Sequence, residues 1–329
     1  MKRPIAMIAG TGHAVPRKCL TNHDFASIGV ETSDEWIVER TGIRQRYIAG
    51  DGESLTSLSA DAARIAMKAA GVTAPELDVI ILGTASPDRL LPATAVEVQA
   101  ALGATRAAAF DLSAACSGWV YGMQVAEGLM AMGNAETVLV IGAETLSRIV
   151  NWKDRNTCVL FGDGAGATVL KRSTKGRGIL SAFMRSDGTL ADLLQRSAGG
   201  SLRPVTPEII EDGSNCISMQ GREVFKNAVR SMAEACDRAL DGAKLSAADI
   251  DLLIPHQANI RIIEATAKHA GMPLEKVYVN VDRYGNTSAA SIPIALDEAV
   301  RAGRVKEGMT VMFVAFGAGF TWGSIVVKF

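Results

Sequence analysis

Shifted by 173 positions, the 329-residue chain aligns with itself at three places without a gap. Leu77-Asp-Val-Ile-Ile-Leu82 falls on Ile250-Asp-Leu-Leu-Ile-Pro255, and Thr137-Val-Leu-Val140 falls on Thr310-Val-Met-Phe313. Between them, the stretch around Cys116 falls on Asn286-Thr-Ser-Ala-Ala-Ser291. A single offset that recurs three times requires two similar units. The apolar runs over 79–82, 138–141, 252–254 and 311–314 read as buried strands. Amphipathic stretches over 59–70 and 120–132 alternate with them, which predicts an α/β chain. The expected architecture is a pair of α/β halves, over 1–172 and 173–329, packed in layers around one shared core. The segment over 196–218 is rich in Gly, Ser and Pro and reads as an excursion between elements.

With 48% hydrophobic residues, a chain of this length buries a large core. Its net charge of −1 supplies no field that favours nucleic acid or an anionic membrane, so an acidic partner must meet a local basic patch. The charged start Met1-Lys-Arg-Pro4 leads into an apolar run over 5–9 that Gly10-Thr-Gly12 cuts short. That run is too short for a signal peptide or a membrane span. None of the five cysteines forms a Cys-x-x-Cys pair, which argues against zinc or a redox dithiol. An odd count without a secretory segment fits a reducing cytosol.

In Phe110-Asp-Leu-Ser-Ala-Ala-Cys-Ser-Gly-Trp119 a strand-like stretch passes through small residues into a helix-like run. Cys116 therefore sits at a helix start, where the macrodipole stabilises a thiolate by roughly 0.3–1 kcal/mol, up to about 2 when partly buried. That lowers a thiol pKa by about one unit and makes Cys116 a candidate nucleophile. The competing reading is a small buried hydrophobe, which is retained for Cys19, Cys158, Cys216 and Cys236. The repeat places the Asn286 segment at the equivalent helix start of the other half.

His256 lies in Pro255-His-Gln-Ala-Asn259, just beyond a strand, where α/β sheets gather their ligands. A satisfied core histidine is the alternative. Asn286 follows Asp282-Arg-Tyr-Gly285 and reads as a turn and helix cap. Phe161-Gly-Asp-Gly-Ala-Gly166 matches neither a dinucleotide fingerprint nor a P-loop, so its glycines are assigned to tight strand packing. Phe316-Gly-Ala-Gly-Phe-Thr-Trp-Gly323 follows a strand and offers backbone N–H groups to an oxyanion.

In order along the chain, these segments resemble the thiolase-fold condensing enzymes, most closely the β-ketoacyl-acyl carrier protein synthase III family. Ile8-Ala-Gly-Thr-Gly12, Thr32-Ser-Asp-Glu-Trp-Ile-Val38, Arg40-Thr-Gly-Ile-Arg44, Ala114-Ala-Cys-Ser-Gly118, His256-Gln-Ala-Asn259 and Gly285-Asn-Thr-Ser-Ala-Ala290 carry the resemblance, together with the two glycine-rich segments. It implies a Cys-His-Asn triad of Cys116, His256 and Asn286. The cysteine would take an acyl group from acyl-CoA, and a malonyl thioester on acyl carrier protein would lose CO2 and attack it. His256 and the Asn286 amide would stabilise the enolate, and the N–H groups of Cys116 and Ala318 the tetrahedral oxyanions. Many relatives have glycine at the place of Ala318, whose methyl keeps the N–H but disfavours positive φ. No cofactor or metal is implied, because the CoA and phosphopantetheine thioesters are substrates. Thiolases add a second catalytic cysteine, and 316–319 holds none.

The resemblance further implies that Trp36 and Arg155 stack on adenine, that Arg40 meets phosphate, and that Thr32, Gly221, Phe225, Ala258 and Asn259 line a pantetheine tunnel. Gln257, Ala258, Asn259, Ile260 and Arg261, with Lys226, would receive the carrier protein. Arg222, Lys226 and Arg230 recur every four residues and share one helical face. Leu91 would reach across a homodimer into the partner's acyl pocket, where many acetyl-selective relatives use phenylalanine, so a longer or branched primer is expected. A cytoplasmic homodimer that starts fatty acids is the leading reading. The alternatives are a condensing enzyme or acyltransferase of secondary metabolism and a non-catalytic chain-length subunit, which the presence of Cys116 opposes.

Overall fold

The computed structural model describes residues 4–174 and 176–329, so the charged residues of the Met1-Lys-Arg start lie outside the described residues. One five-stranded sheet runs in the order Ala6–Ala14, Asp163–Arg172, Thr137–Thr145, Val79–Gly83, Ala108–Leu112. A four-stranded sheet runs Gly178–Ser186, Thr321–Lys328, Thr310–Gly317, Leu252–Pro255. The strands that the sequence repeat aligns are parallel to their neighbours: Val79–Gly83 with Thr137–Thr145, and Leu252–Pro255 with Thr310–Gly317.

The offset of the sequence repeat persists in backbone detail. Helix Leu55–Ala70 and helix Gly221–Ala243 end at equivalent residues, each followed by a left-handed residue, Gly71 at φ 63° and Lys244 at φ 55°. The turns Ala74–Glu76 and Ala247–Asp249 correspond, as do the starts of helices Gly118–Ala131 and Ser291–Arg301. Symmetry fails at the fifth strand. The counterpart of Ala108–Leu112 is the short helix Val281–Tyr284, whose Val-Asp-Arg-Tyr sequence lacks an apolar strand pattern, and a lone bridge from Leu253 to Val277 stands at that edge.

Side-chain alternation builds five layers. Val79, Ile81, Val138 and Val140 of the first sheet and Leu252, Ile254, Val311 and Phe313 of the second all point inward. They enclose helices Gly118–Ala131 and Ser291–Arg301 through Trp119, Met123, Ile292 and Leu296. Alternate residues point outward: Ile80, Leu82, Leu139 and Ile141 meet helix Leu55–Ala70. Leu253, Met312 and Val314 meet helices Gly221–Ala243 and Ile260–His269. Strands buried on both faces explain the unbroken apolar runs. The helix that follows Cys116 is thus an interior layer of the molecule.

The glycines of the 161–166 segment serve close packing, since a Cβ on Gly166 would lie 2.7 Å from the Ile294 nitrogen. The excursion after Gln195 is closed at its base by the short antiparallel pair Leu194–Gln195 and Ser218–Met219. Within it, Thr206 caps helix Pro207–Asp212. Buried Arg46 ties the Lys18–Thr21/Gln45–Ile48 hairpin to the loop before Phe161, donating to the carbonyls of Leu20 at 3.3 Å and Val159 at 2.6 Å.

Gly142 faces the turn at 288–290, and a Cβ there would lie 2.7 Å from the Ala289 carbonyl carbon. Gly142→Ala is expected to cost about 3 kcal/mol through overpacking in a rigid interior. Gly128, on the exposed side of helix Gly118–Ala131, has open space around its Cβ position, and Gly128→Ala should gain about 0.5–1 kcal/mol. Urea unfolding of the two variants checks the contrast, and equal effects would contradict it.

Candidate active site

Helix Asp34–Thr41 is fixed at both ends, by Ser33 accepting from the Trp36 N–H and by Gly42 at φ 77°. It presents Trp36 beside two cations. The guanidinium centre of Arg40 is 4.6 Å from the Trp36 ring and that of Arg155 is 5.1 Å from it. Arg155 also donates to the Glu31 carbonyl at 3.1 Å. A mouth of about 710 Å³ opens here, bordered by Trp36, Arg40, Arg222, Lys226, Asn259 and Arg261. Such a rim suits a phosphorylated ligand.

The mouth narrows into an inner tunnel of about 180 Å³ that shares Gly221, Phe225 and Asn259 with it. Ala258 also lines the tunnel, which ends at His256, Asn286, Phe316 and Gly317. Thr32 lines neither chamber, and its hydroxyl is buried without a hydrogen-bond partner among the described residues.

Cys116 lies in the turn Ala115–Ser117, which runs directly into helix Gly118–Ala131. Ala115 before it is held at φ 46°, and its repeat equivalent Ser288 at φ 48°; non-glycine residues adopt this region at a cost that functional sites tolerate. Gly317 backs Cys116 so closely that a Cβ would lie 2.6 Å from the Cys116 nitrogen. The residue is partly exposed but its sulfur is enclosed, and burial pushes the thiol up to about 12. This corrects the expectation of a lowered pKa, because desolvation of the thiolate outweighs the helix terminus. The nearby Glu144 charge adds to the rise, while a hydrogen bond from Ser288 opposes it. Cys116 therefore rests as a thiol.

His256 is held by its backbone N–H, which donates to the Val314 carbonyl at 2.8 Å. Its Nδ1 lies 2.7 Å from the Ser291 hydroxyl, which also accepts from the Gln257 N–H at 3.3 Å. With Nδ1 accepting the Ser291 hydroxyl proton, the ring proton sits on Nε2, the tautomer that points a donor away from Ser291. Burial lowers the imidazole to about 3, so it is neutral at working pH. The Asn286 backbone N–H donates to the Leu160 carbonyl at 2.8 Å, and its Oδ1 accepts from the Ser288 N–H at 2.8 Å. Its Nδ2 is thereby turned outward as a donor. The capping role read from sequence and the donor role are both served by one amide.

Two carrier-facing expectations change. Gln257 is 1% exposed, and its Nε2 donates to the Pro255 and Tyr278 carbonyls at 2.8 and 3.1 Å. With its Oε1 accepting from the Asn280 N–H at 2.9 Å, it fixes the His256 loop from within and presents nothing to a partner. Of the three cations spaced by four, Arg222 and Lys226 reach the mouth, but Arg230 lines a separate groove with Asp237 and His269. One helical turn more carries Arg230 past the rim. Arg261 is exposed, with its guanidinium 5.9 Å from the Phe225 ring, and Ile260 packs beneath Gly42. Asn259 caps helix Ile260–His269 and donates to the Arg40 carbonyl at 2.9 Å, which joins the two walls of the mouth.

Beyond Cys116 a smaller chamber is walled by Ala85, Ala115, Leu146, Phe161, Ser288 and Ala318, among others. Ala318 is not among the left-handed residues, so its methyl imposes no strain there. Leu91 is 86% exposed and is not among the residues that wall this chamber. Ser288 and Ser291 had no chemical signal in the sequence beyond their register with Ala115 and Gly118.

Narrow tunnel, buried thiol and two neutral donors together suit carbon–carbon bond formation on thioesters. In shape the chain matches 3-oxoacyl-[acyl-carrier-protein] synthase III from Aquifex aeolicus at a TM-score of 0.91 and 48% identity, covering 98% of this chain and 100% of that one. It matches the priming β-ketosynthase of the R1128 polyketide pathway at 0.90 and 34%, covering 99% and 96%. The molecule is thus a thiolase-fold condensing enzyme.

Sequence comparison narrows the class. Family models for 3-oxoacyl-[acyl-carrier-protein] synthase III match residues 110–188 and, for its C-terminal part, residues 240–329. The β-ketoacyl-[acyl-carrier-protein] synthase III of Roseiflexus castenholzii is 54% identical over 323 residues, 98% of each chain. The chain belongs to the β-ketoacyl-acyl carrier protein synthase III family, condensing acyltransferases of fatty acid synthesis.

His256 gives a direct check. Its folded pKa lies below the ordinary value, so the unfolded chain binds a proton between about 6.5 and about 3 that the native state refuses, and stability falls as pH falls through that window. The His256 imidazole NMR signal, assigned by its loss in His256→Gln, should not titrate between pH 5 and 8. A midpoint near 6.5 would contradict the buried neutral ring.

Proposed function

We propose that Cys116 carries the acyl primer of a decarboxylative condensation, with His256 and Asn286 as enolate donors. Acyl-CoA enters by the Trp36 mouth, with Arg40 and Arg155 beside the nucleotide and pantetheine in the tunnel. The Cys116 sulfur attacks the thioester carbonyl, the C–S bond to CoA breaks, and CoA leaves as its thiol, with the proton that Cys116 gives up. Malonyl-acyl carrier protein then delivers its phosphopantetheine through the same mouth, past Arg222, Lys226 and Arg261. Loss of CO2 places charge on the thioester oxygen, which accepts from His256 Nε2–H and Asn286 Nδ2–H. The enolate carbon attacks acyl-Cys116, whose oxyanion meets the N–H groups of Cys116 and Ala318. Collapse releases 3-ketoacyl-acyl carrier protein and the cysteine.

The observation that carries this reading is the pair of fixed neutral donors, each with its other polar atom already engaged. Such preorganised donors act without reorientation as charge develops, and each is typically worth about 3–4 kcal/mol. Neither resident cofactor nor metal enters the steps. The division into halves at 172/173, a homodimer and a cytoplasmic location belong to the same proposal. The edge strand Ala108–Leu112 and the exposed Leu90 and Leu91 support a dimer, because they leave apolar surface for a second copy. For location, no helix among the described residues is long and apolar enough to cross a membrane. The likeness to a polyketide priming synthase supports a second reading, in which the same chemistry starts a polyketide.

Incubation with acetyl-, butyryl-, branched and octanoyl-CoA, followed by intact mass, should show one acyl group retained, and Cys116→Ala should retain none. Acylation of Cys116→Ala, or none of the wild type, would overturn the nucleophile. With Leu91 as the partner's pocket wall, Leu91→Phe should shift retention toward acetyl by about tenfold, the order of one to two methylenes in a hydrophobic pocket. An unchanged primer ranking would remove Leu91 from the pocket.

A further inference from the structure

Each tetrahedral step in the proposed reaction needs the N–H groups of Cys116 and Ala318 to face one oxygen. The two come from different halves of the chain. Cys116 belongs to the turn Ala115–Ser117, and Ala318 to the loop between strands Thr310–Gly317 and Thr321–Lys328. Neither N–H donates to another described residue. Their mutual geometry is therefore set by whatever fixes the turn to the loop.

Thr321 makes that connection on both sides of Cys116. Its hydroxyl lies 2.8 Å from the Ala114 carbonyl and 3.3 Å from the Ala318 carbonyl, so its one proton is shared and goes chiefly to Ala114. In return, the Thr321 carbonyl accepts from the Ser117 hydroxyl at 3.1 Å, and Ser117 is fully buried. Ala114 and Ser117 bracket the cysteine, and the Ala114 carbonyl also accepts from the Ser117 N–H at 3.1 Å.

The backbone at this turn needs to be held. The Ala114 carbonyl belongs to the peptide that enters Ala115, whose φ of 46° is costly for a residue with a Cβ. Close contact at Gly317 stops the turn from approaching further, but only directed bonds stop its peptides from rotating. The other half shows the difference. Ser288 takes φ 48°, and the Thr287 carbonyl before it accepts from the Ala290 N–H at 3.0 Å. The residue 173 positions before Thr321 is Arg148, which donates to the Gly50 carbonyl at 3.2 Å instead. Among the described residues the two-way tie is thus made at the cysteine's turn and not at its counterpart.

We propose that Thr321 positions the oxyanion site, locking the peptides around Cys116 to the loop that carries Ala318 so that both N–H groups meet one oxygen. The inference rests on the acyl-Cys116 reading. Thr321 lines none of the three chambers on the ligand path, so it acts through those N–H groups and not on the substrate. The enolate donors are held by other bonds: His256 by the Val314 carbonyl and Ser291, Asn286 by the Leu160 carbonyl and the Ser288 N–H. Removing the Thr321 hydroxyl should therefore slow acylation and condensation and spare decarboxylation.

Thr321→Val keeps the branched shape without the hydroxyl, and Thr321→Ser keeps the hydroxyl without the methyl. Acyl-enzyme formation at saturating acetyl-CoA is measured by rapid quench and intact mass for the full-length wild type and both variants. Decarboxylation of malonyl-acyl carrier protein by the unacylated enzyme is followed in parallel. Thr321→Val should acylate about 10- to 100-fold more slowly, the order that a misplaced oxyanion donor costs, and decarboxylate at close to the wild-type rate. Thr321→Ser should restore acylation to within about fivefold of wild type. A variant that merely loosens the fold would slow both half-reactions together. A loss of acylation in Thr321→Val that is less than about five times its loss of decarboxylation overturns the positioning role, and so does a failure of Thr321→Ser to restore acylation. If Thr321→Val does not fold, Ser117→Ala, which removes only the return bond, decides by the same comparison. Acylation of the wild type leaves the acyl-Cys116 reading standing whatever the variants do, whereas an unacylated wild type sinks that reading and the positioning role with it.

Discussion

Backbone contact between the two halves is the constraint on which the molecule depends. The turns at 115–117 and 288–290 meet between the sheets, and each is pressed against a strand of the other half by a glycine. Gly142 admits the Ala289 carbonyl, and Gly317 admits the Cys116 amide. Side chains of any size at these places would separate the strands from the turns. The same contacts set Cys116 directly behind Gly317, at the tunnel end that His256 and Asn286 line. Interior packing and site geometry are therefore one problem, and core mutations here act on chemistry as well as stability.

Fold was legible because its strongest signals are local and repeated. Apolar runs at a fixed offset reveal buried parallel strands, and the helix starts follow from the small residues after them. His256 is readable as a loop residue beyond a strand end, and Cys116 and Asn286 as residues at helix starts. Neither protonation nor orientation could be read. The thiol pKa was misjudged because the helix terminus is visible in sequence whereas desolvation by the opposite half is not. Gln257 shares a surface-like segment with Asn259 and Arg261, yet its amide is consumed by Pro255, Tyr278 and Asn280, partners that only tertiary contact supplies.

Electrostatics divides the ligand path into regions. Cations gather where Trp36 opens to solvent, whereas the tunnel beyond carries apolar walls and neutral donors. In the proposed reaction, charge on a nucleotide or a carrier protein would be met outside and left there, and the thioester alone would reach low dielectric, where a hydrogen bond to a developing oxyanion is strongest. Arg155, 5.1 Å from the Trp36 ring, occupies the stacking position itself, so an adenine between them must displace it.

Placing the helix that follows Cys116 between two sheets also orders events during synthesis. Cys116 leaves the ribosome about two hundred residues before Gly317 closes over its amide, and Ser288 emerges shortly before Gly317. Until then the thiol lies on the uncovered inner face of the first half, in water, with the ordinary acidity of a free cysteine. Completion of the second half turns a commonplace, oxidisable thiol into a shielded one, so the nascent chain is at its most chemically vulnerable just before it becomes an enzyme.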